Sequence, residues 1–138
     1  MSSSILSAFT DNYRTIPGLY TLTDLSAAQF KAIKLLSTVG QVGLVSTSVP
    51  ASAVFVLMND PKGASGAPVN VEAAYEGIVK MIAGTSTIKQ GDALAINTTG
   101  YVVTTTTANR WIIGYSLSNS GTVADIISVV LIPGGAKY

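Results

Sequence analysis

Residues 88–117 read IKQGDALAINTTGYVVTTTTANRWIIGYSL. Ile88-Lys89-Gln90-Gly91-Asp92 has the residues of a turn, and the apolar run Ala93–Ile96 follows it. Asn97-Thr98-Thr99-Gly100 is a hairpin loop, and Tyr101–Thr107 is its return strand. Four consecutive threonines, Thr104–Thr107, are β-branched and favour extended backbone. Ala108-Asn109 turns the chain into Trp111–Leu117, where Gly114 marks a place for another backbone to come close. Beyond it, Ser118–Gly121 turns the chain again, Val123–Ile132 is the last strand, and Pro133-Gly134-Gly135 is expected to end the fold. Short strands at about ten-residue spacing predict a mainly β fold, a small barrel or sandwich. Trp111, Ile113, Val129 and Leu131 are expected in or near its core.

The same language extends toward the N-terminus. In Val69–Ile82, Val69, Val71, Ala73 and Tyr75 alternate with Asn70, Glu72, Ala74 and Glu76, and Gly77 predicts a bend or bulge. Asn59–Gly63 with Ala64-Ser65-Gly66 is a loop. Val42–Thr47 and Ala53–Met58 are short apolar runs parted by Ser48-Val49-Pro50.

One helix is predicted, over about residues 27–37. Ser26 and Gln29 form a capping box, with Leu25 and Phe30 placed for a hydrophobic staple. Ala27, Phe30, Ile33 and Leu36 line one face, and Gly40 is the stop. Residues 1–22 read as an extended N-terminal arm, and residues 23–138 as a single β domain that includes the helix. In the arm, Ile5, Leu6, Phe9, Tyr13, Ile16, Leu19 and Tyr20 fit neither a helical stripe nor an alternation, and Pro17-Gly18 breaks any regular element. They cover either the chain's own core or a neighbour. Burying a large apolar side chain yields roughly 1.5–3 kcal/mol, and ordering each backbone residue costs roughly 1–2 kcal/mol. Over the arm the two sums are comparable, so it is not expected to order without backbone pairing to a partner strand.

Composition narrows the function. The chain has 138 residues, one domain's worth. Only 11% are charged, while Ser and Thr make up about a fifth. A formal net charge of +1 gives a nucleic acid little to bind. The absence of His and Cys removes disulfides, Cys/His zinc sites, thiol nucleophiles and His-based triads. Mean hydropathy is positive, yet the longest apolar runs, Ala53–Met58 and Ile126–Ile132, fall well short of the roughly 18 residues of a spanning helix, so no membrane partner is expected. Met1-Ser2-Ser3-Ser4 has no basic segment and the first cation is Arg14, so a secretory leader is not expected. A chain this apolar and sparsely charged is expected to cover part of its surface with other chains.

The candidate chemistry is thin. Ser86-Thr87-Ile88-Lys89 has S-x-x-K spacing, but that pair needs a helix start, and here it falls on a strand-to-turn segment. Asn97-Thr98-Thr99 is a glycosylation sequon, and Gly63–Gly66 lacks the Lys-Ser/Thr pair of a phosphate loop. Glu72 and Glu76 on one strand lie roughly 13–14 Å apart, too far for a glycosidase pair at about 5–9.5 Å. Asp92 and Asp125 sit at glycine turns, where Asp is a turn former and only secondarily a cation ligand. Neither an enzyme, a cofactor nor a metal is expected.

From Glu76 to Pro133 the chain carries Glu-Gly-Ile-Val-Lys, Gly84, Ile88, Gly91-Asp92-Ala93-Leu94, Gly100-Tyr101-Val102, Ile112-Ile113-Gly114-Tyr115-Ser116-Leu117, Gly121 and Ile126–Leu131. In spacing and residue class this stretch resembles the capsid decoration, or cement, proteins of tailed bacteriophages. Residues 1–75 carry none of the resemblance. The resemblance implies a β-tulip-like domain and a non-enzymatic virion protein, made in the host cytoplasm and placed on the outer surface of the capsid. Its implied partners are the major capsid protein and itself, as a homotrimer or alternatively a homodimer. It further implies that the arm residues Ile5, Leu6, Phe9, Tyr13, Ile16, Leu19 and Tyr20 are the capsid-binding set. Two other readings stand beside it: a viral fibre or adhesin-type domain that binds a host surface glycan, which an exposed aromatic cluster would favour, and an accessory barrel of a bacterial enzyme, which a polar pocket would favour.

Overall fold

The computed structural model describes residues 9–46, 54–62 and 66–138. Its strands are β1 (Asn12–Thr15), β2 (Tyr20–Thr21), β3 (Ala32–Leu35), β4 (Val42–Leu44), β5 (Val54–Leu57), β6 (Val69–Asn70), β7 (Ala73–Ile82), β8 (Ala93–Ile96), β9 (Val102–Thr104), β10 (Trp111–Ser116) and β11 (Ile126–Lys137). Nine of them form one antiparallel sheet in the order β4-β3-β5-β7-β11-β10-β8-β9, with β1 added to β7; β2 and β6 pair separately. The sheet curls into a half-barrel. The curl brings the β8–β9 end back toward β3 and β7, so that Ala32 N–H donates to the Gly100 carbonyl at 2.9 Å and Ala83, just after β7, bridges Val102 in parallel.

Two apolar layers result. Ala32, Val54, Val56, Ala74, Val79, Met81, Leu94, Ile96, Val102, Ile113, Ile127 and Val129 fill the inside of the curl. On the outside of β3, β4, β5 and β7 a second cluster gathers Ile33, Val42, Phe55, Leu57, Val71 and Ala73 under Leu19, Leu25 and Ala28. A strand buried on both faces needs no polar alternation, which is why Val-Phe-Val-Leu of β5 is apolar throughout and buried at every position.

β7 changes faces along its length. Thr15 lies opposite Ala74 and Arg14 opposite Glu76, so Tyr75 is an extra residue on β7. A bulge of one residue reverses the side-chain parity beyond it. Before it, Val71 and Ala73 enter the outer cluster and Tyr75 packs on it; beyond it, Val79, Met81 and Ala83 enter the inner one. Gly77 follows the bulge at φ +102, and a β-carbon there would collide with Asn12 O and sit 2.7 Å from Tyr13 Cα. The bulge expected near Gly77 and the close approach expected at Gly114 are therefore both present. At Gly114 a β-carbon would strike the Val130 backbone.

The predicted helix is not there. Leu25–Phe30 is a pair of turns, with Ala28 N–H to Leu25 O at 2.9 Å and Lys31 N–H to Ala28 O at 3.0 Å. Phe30 then adopts φ +70, which a helix cannot contain, and Ala32–Leu35 is strand β3. Gln29 does not close a capping box; its side-chain amide donates to the Met58 carbonyl at 3.0 Å. Leu25 joins the outer cluster and Phe30 packs on the inner one, so the sheet divides the two staple partners. Two strand partners, β4 and β5, and two apolar layers outweigh the local helical signal.

Other boundaries shift for similar reasons. β9 stops at Thr104 and leaves Thr105–Thr107 beyond it. β11 begins at Ile126, after a turn capped by Asp125, and runs through the Pro133–Gly135 stop to Lys137. It continues because Lys137 and Ala136 pair with Trp111 and Ile112, and Gly135 lies against the Trp111 ring. Ile113, Val129 and Leu131 are buried as expected, and Trp111 is half-buried. Ile5, Leu6, the Ser48-Val49-Pro50 break and Gly63–Ser65 lie outside the described residues.

Gly77→Ala is expected to lower unfolding stability by at least about 2 kcal/mol, from left-handed strain plus overpacking. Gly91→Ala, at φ +91 with nothing within 4 Å of its β-carbon, is expected to lose clearly less. Chemical denaturation of both variants checks the difference; equal losses would contradict the role given to the β1 crossing. The Asp125 carboxylate accepts from the N–H groups of Thr122 at 2.7 Å and Gly121 at 2.8 Å and from the Thr122 hydroxyl at 2.9 Å. These bonds, the Thr122 N–H foremost, hold its pKa below the ordinary value of 3.8. A carboxyl depressed in the folded state stabilises above its unfolded pKa and loses that contribution as pH falls through its folded one. The stability gap between the parent chain and Asp125→Asn should therefore stay constant from neutral pH down to about pH 5 and shrink below about pH 4. Denaturation midpoints across that range check it.

Candidate interaction surface

Of the seven arm residues, four are placed against the chain's own sheet and Phe9 is exposed. Tyr13 pairs with Gly77 in the β1–β7 ladder, packs on the inner cluster, and donates its hydroxyl to Glu72 Oε1. Burial first, and the adjoining Glu72 carboxylate next, push its pKa up to about 12. Ile16 packs on the outer cluster and donates its N–H to Ala73 O at 3.1 Å. Leu19 is buried in that cluster. Tyr20 pairs with Asn70 and donates its N–H to Gly40 O at 2.8 Å. Asp11–Lys80 at 2.7 Å and Arg14–Glu76 at 3.4 Å add ion pairs along β1. The backbone pairing that the arm was expected to need is thus supplied within the same chain, by β7 for Asn12–Thr15 and by β6 for Tyr20–Thr21. Leu19 has no surface left to offer a second molecule, while Phe9 is 43% exposed.

Among the described residues, the largest group of exposed apolar side chains lies at the β3–β4 hairpin. Leu35, Leu36, Val39 and Leu44 are all exposed, and Val39, at 94%, is almost wholly in solvent. Ile33 pairs with Leu44 and Leu35 with Val42, so Leu35 and Leu44 extend the outer face past the edge of its cover. Leu36 lies over Gly43, where a β-carbon would come within 3.1 Å of it. β4 ends the strand order. Gln41 and Val45 bond back to β3, with Leu36 N–H to Gln41 O at 2.8 Å and Val45 N–H to Ala32 O at 3.2 Å. In an antiparallel ladder the intervening Val42 and Leu44 then turn their N–H and C=O groups outward. Tyr20 bridges Gln41 in parallel and covers the start of this edge, and among the described residues no strand pairs with it at Leu44. A short open edge flanked by exposed leucines is a template for another chain. The sequence concealed it because Leu36 and its neighbours fitted the predicted helix.

A concave surface lies near the other end of the strand order. Asp92, Ala93, Thr104–Thr106, Tyr115 and Tyr138 line a cleft of about 360 Å³. Tyr115 and Tyr138 stand 42% and 49% exposed.

The residues weighed for chemistry serve as scaffolding. Ser86 and Lys89 are exposed on a non-helical segment. Asn97 Oδ1 accepts from Thr99 N–H, the Thr99 hydroxyl and Tyr101 N–H, which shapes the β8–β9 hairpin. Asp92 Oδ2 accepts from Lys89 N–H at 2.8 Å. Glu72 faces Tyr13 and Glu76 faces Arg14, so β1 engages each carboxylate separately. Among the described residues, no three His, Cys, Asp or Glu side chains gather as a metal site would require. Compared with known proteins, the chain matches no family model and no curated relative.

Proposed function

We propose that the chain is a structural protein of a phage virion that binds the outer surface of the head and stabilises contacts between major capsid subunits. The observation that carries the reading is the open β4 edge with Leu35, Leu36, Val39 and Leu44 around it, on a chain with only 11% charged residues. An exposed apolar hairpin gains most when a rigid partner surface covers it, since charged residues are depleted at the centres of interfaces. The residues that resemble the decoration proteins also have structural duties consistent with a small barrel-like domain of tulip type. Gly91-Asp92 makes the turn into β8, Gly100 sits at φ +81 in the hairpin, and Gly114 lies under the Val130 backbone. In this reading the hairpin and Phe9 face the capsid lattice, with Ile5 and Leu6 preceding Phe9 in the chain. Three copies associate around a local symmetry axis of the head, with a dimer as the alternative.

Co-sedimentation with purified heads of the phage that encodes the chain tests the proposal. The full chain should pellet with heads, and Val39→Asp combined with Leu44→Lys should weaken that binding by at least about tenfold while leaving the fold intact, because both positions are exposed. Light scattering on the isolated chain should give an assembly of three, or alternatively two, 14.2 kDa units. A chain that stays monomeric both free and on heads, or a double variant that binds as tightly as the parent, would overturn it.

A further inference from the structure

We infer that the cleft on the outer face of β8, β9 and β10 binds an uncharged pyranose sugar. The inference is independent of the capsid reading.

The cleft follows from the ladder. Ala93 lies directly opposite Tyr115, and Thr105 N–H donates to Ala93 O at 3.1 Å. Ala93 is thus the short member of a cross-strand row between Tyr115 and Thr105, and the missing side-chain height is the floor of the depression. Tyr138 adds a second ring, held in place by Tyr138 N–H to Arg110 O at 2.8 Å and Asn109 N–H to Tyr138 O at 3.1 Å. The volume of about 360 Å³ falls within the range of small-ligand sites.

The chemistry of the lining selects the ligand. A pyranose ring has an apolar C–H face and a rim of hydroxyls that both donate and accept. The two exposed Tyr rings offer flat apolar area with a polar tip, which suits that face. Asp92 is already oriented through its Oδ2 bond to Lys89 N–H, and its Oδ1 has no partner among the described residues. It can accept a charge-assisted hydrogen bond from a sugar hydroxyl. Thr105 Oγ1 is held by Thr107 N–H at 3.2 Å and has a donor to spare. Asp92 is the only acidic or basic side chain among the lining residues, so the cleft favours an uncharged sugar over an anionic one. An open cleft with few anchors binds weakly, in the millimolar range, and repeated copies on one particle would multiply that affinity.

Titration of the ¹⁵N-labelled full chain by NMR tests this, with methyl α-mannopyranoside, methyl β-galactopyranoside and methyl α-glucopyranoside as probes and N-acetylneuraminic acid as the anionic control. At least one neutral glycoside should give saturable shifts centred on Ala93, Thr105, Tyr115 and Tyr138. Tyr115→Ala should weaken that binding by about fivefold or more, Tyr115→Phe should retain most of it, and Asp92→Asn should weaken it as well. Tyr115 is exposed, so its variants are expected to keep the parent amide spectrum elsewhere. Saturation by none of the three glycosides, stronger binding of the anionic sugar, or unchanged affinity in Tyr115→Ala would each overturn the inference.

Discussion

At Gly77 the β1 backbone lies where a β-carbon would otherwise stand, with Tyr13 Cα 2.7 Å from that position. The rest of the sheet depends on this crossing. It follows directly after the Tyr75 bulge, which lets one continuous strand serve the outer cluster through Val71 and Ala73 and the inner one through Val79 and Met81. Without the added residue, the second half of β7 would turn its apolar side chains away from the core. Tyr13 then fills the place beside the glycine from β1, and its half-buried hydroxyl is satisfied by Glu72. Bulge, glycine, tyrosine and carboxylate thus form one device that fixes the curl and ties down the N-terminal lead.

Once β1 is fixed, Ile16–Ala28 must pass over the outer face of β3, β5 and β7, and it carries Leu19, Leu25 and Ala28 onto that face. The cover runs out at the β3–β4 hairpin, and this is why Leu35, Val39 and Leu44 remain in solvent. The cleft arises from a different local cause, a small Ala93 between the taller Thr105 and Tyr115. The hairpin and the cleft belong to opposite ends of the strand order.

Much of the β architecture was legible in the sequence. Ala93–Ile96 and the Asn97–Gly100 hairpin could be placed because glycine and asparagine punctuate an apolar run there. Gly77 was readable as a bulge and Gly114 as a close approach, because an isolated glycine in a strand usually has one of these roles; that β1 also crosses at Gly77 was not. Region 27–37 misled because a stripe such as Ala27, Phe30, Ile33 and Leu36 fits a helix whenever only one apolar layer is assumed. With two layers, Ala32 faces one and Ile33 the other, which is a strand pattern. The irregular spacing in the lead has the same origin, since Tyr13 goes to the inner cluster and Ile16 and Leu19 to the outer one. No spacing rule could have joined Tyr115 to Tyr138, because their grouping rests on the β10–β11 pairing, and the hairpin leucines were hidden by the helix reading.

Native-state hydrogen exchange on the isolated chain tests the central claim that β1 is an integral strand of the sheet rather than a free arm. If it is, those amides of Asn12–Thr15 that face β7 and the Ile16 amide, which donates to Ala73 O, exchange only through the global opening that also governs the β7–β11 amides of Val79 and Val129. Exchange of the β1 amides near the rate of an unstructured peptide, while Val79 and Val129 stay protected, would contradict the account and return the lead to the role of an arm that orders only on a partner.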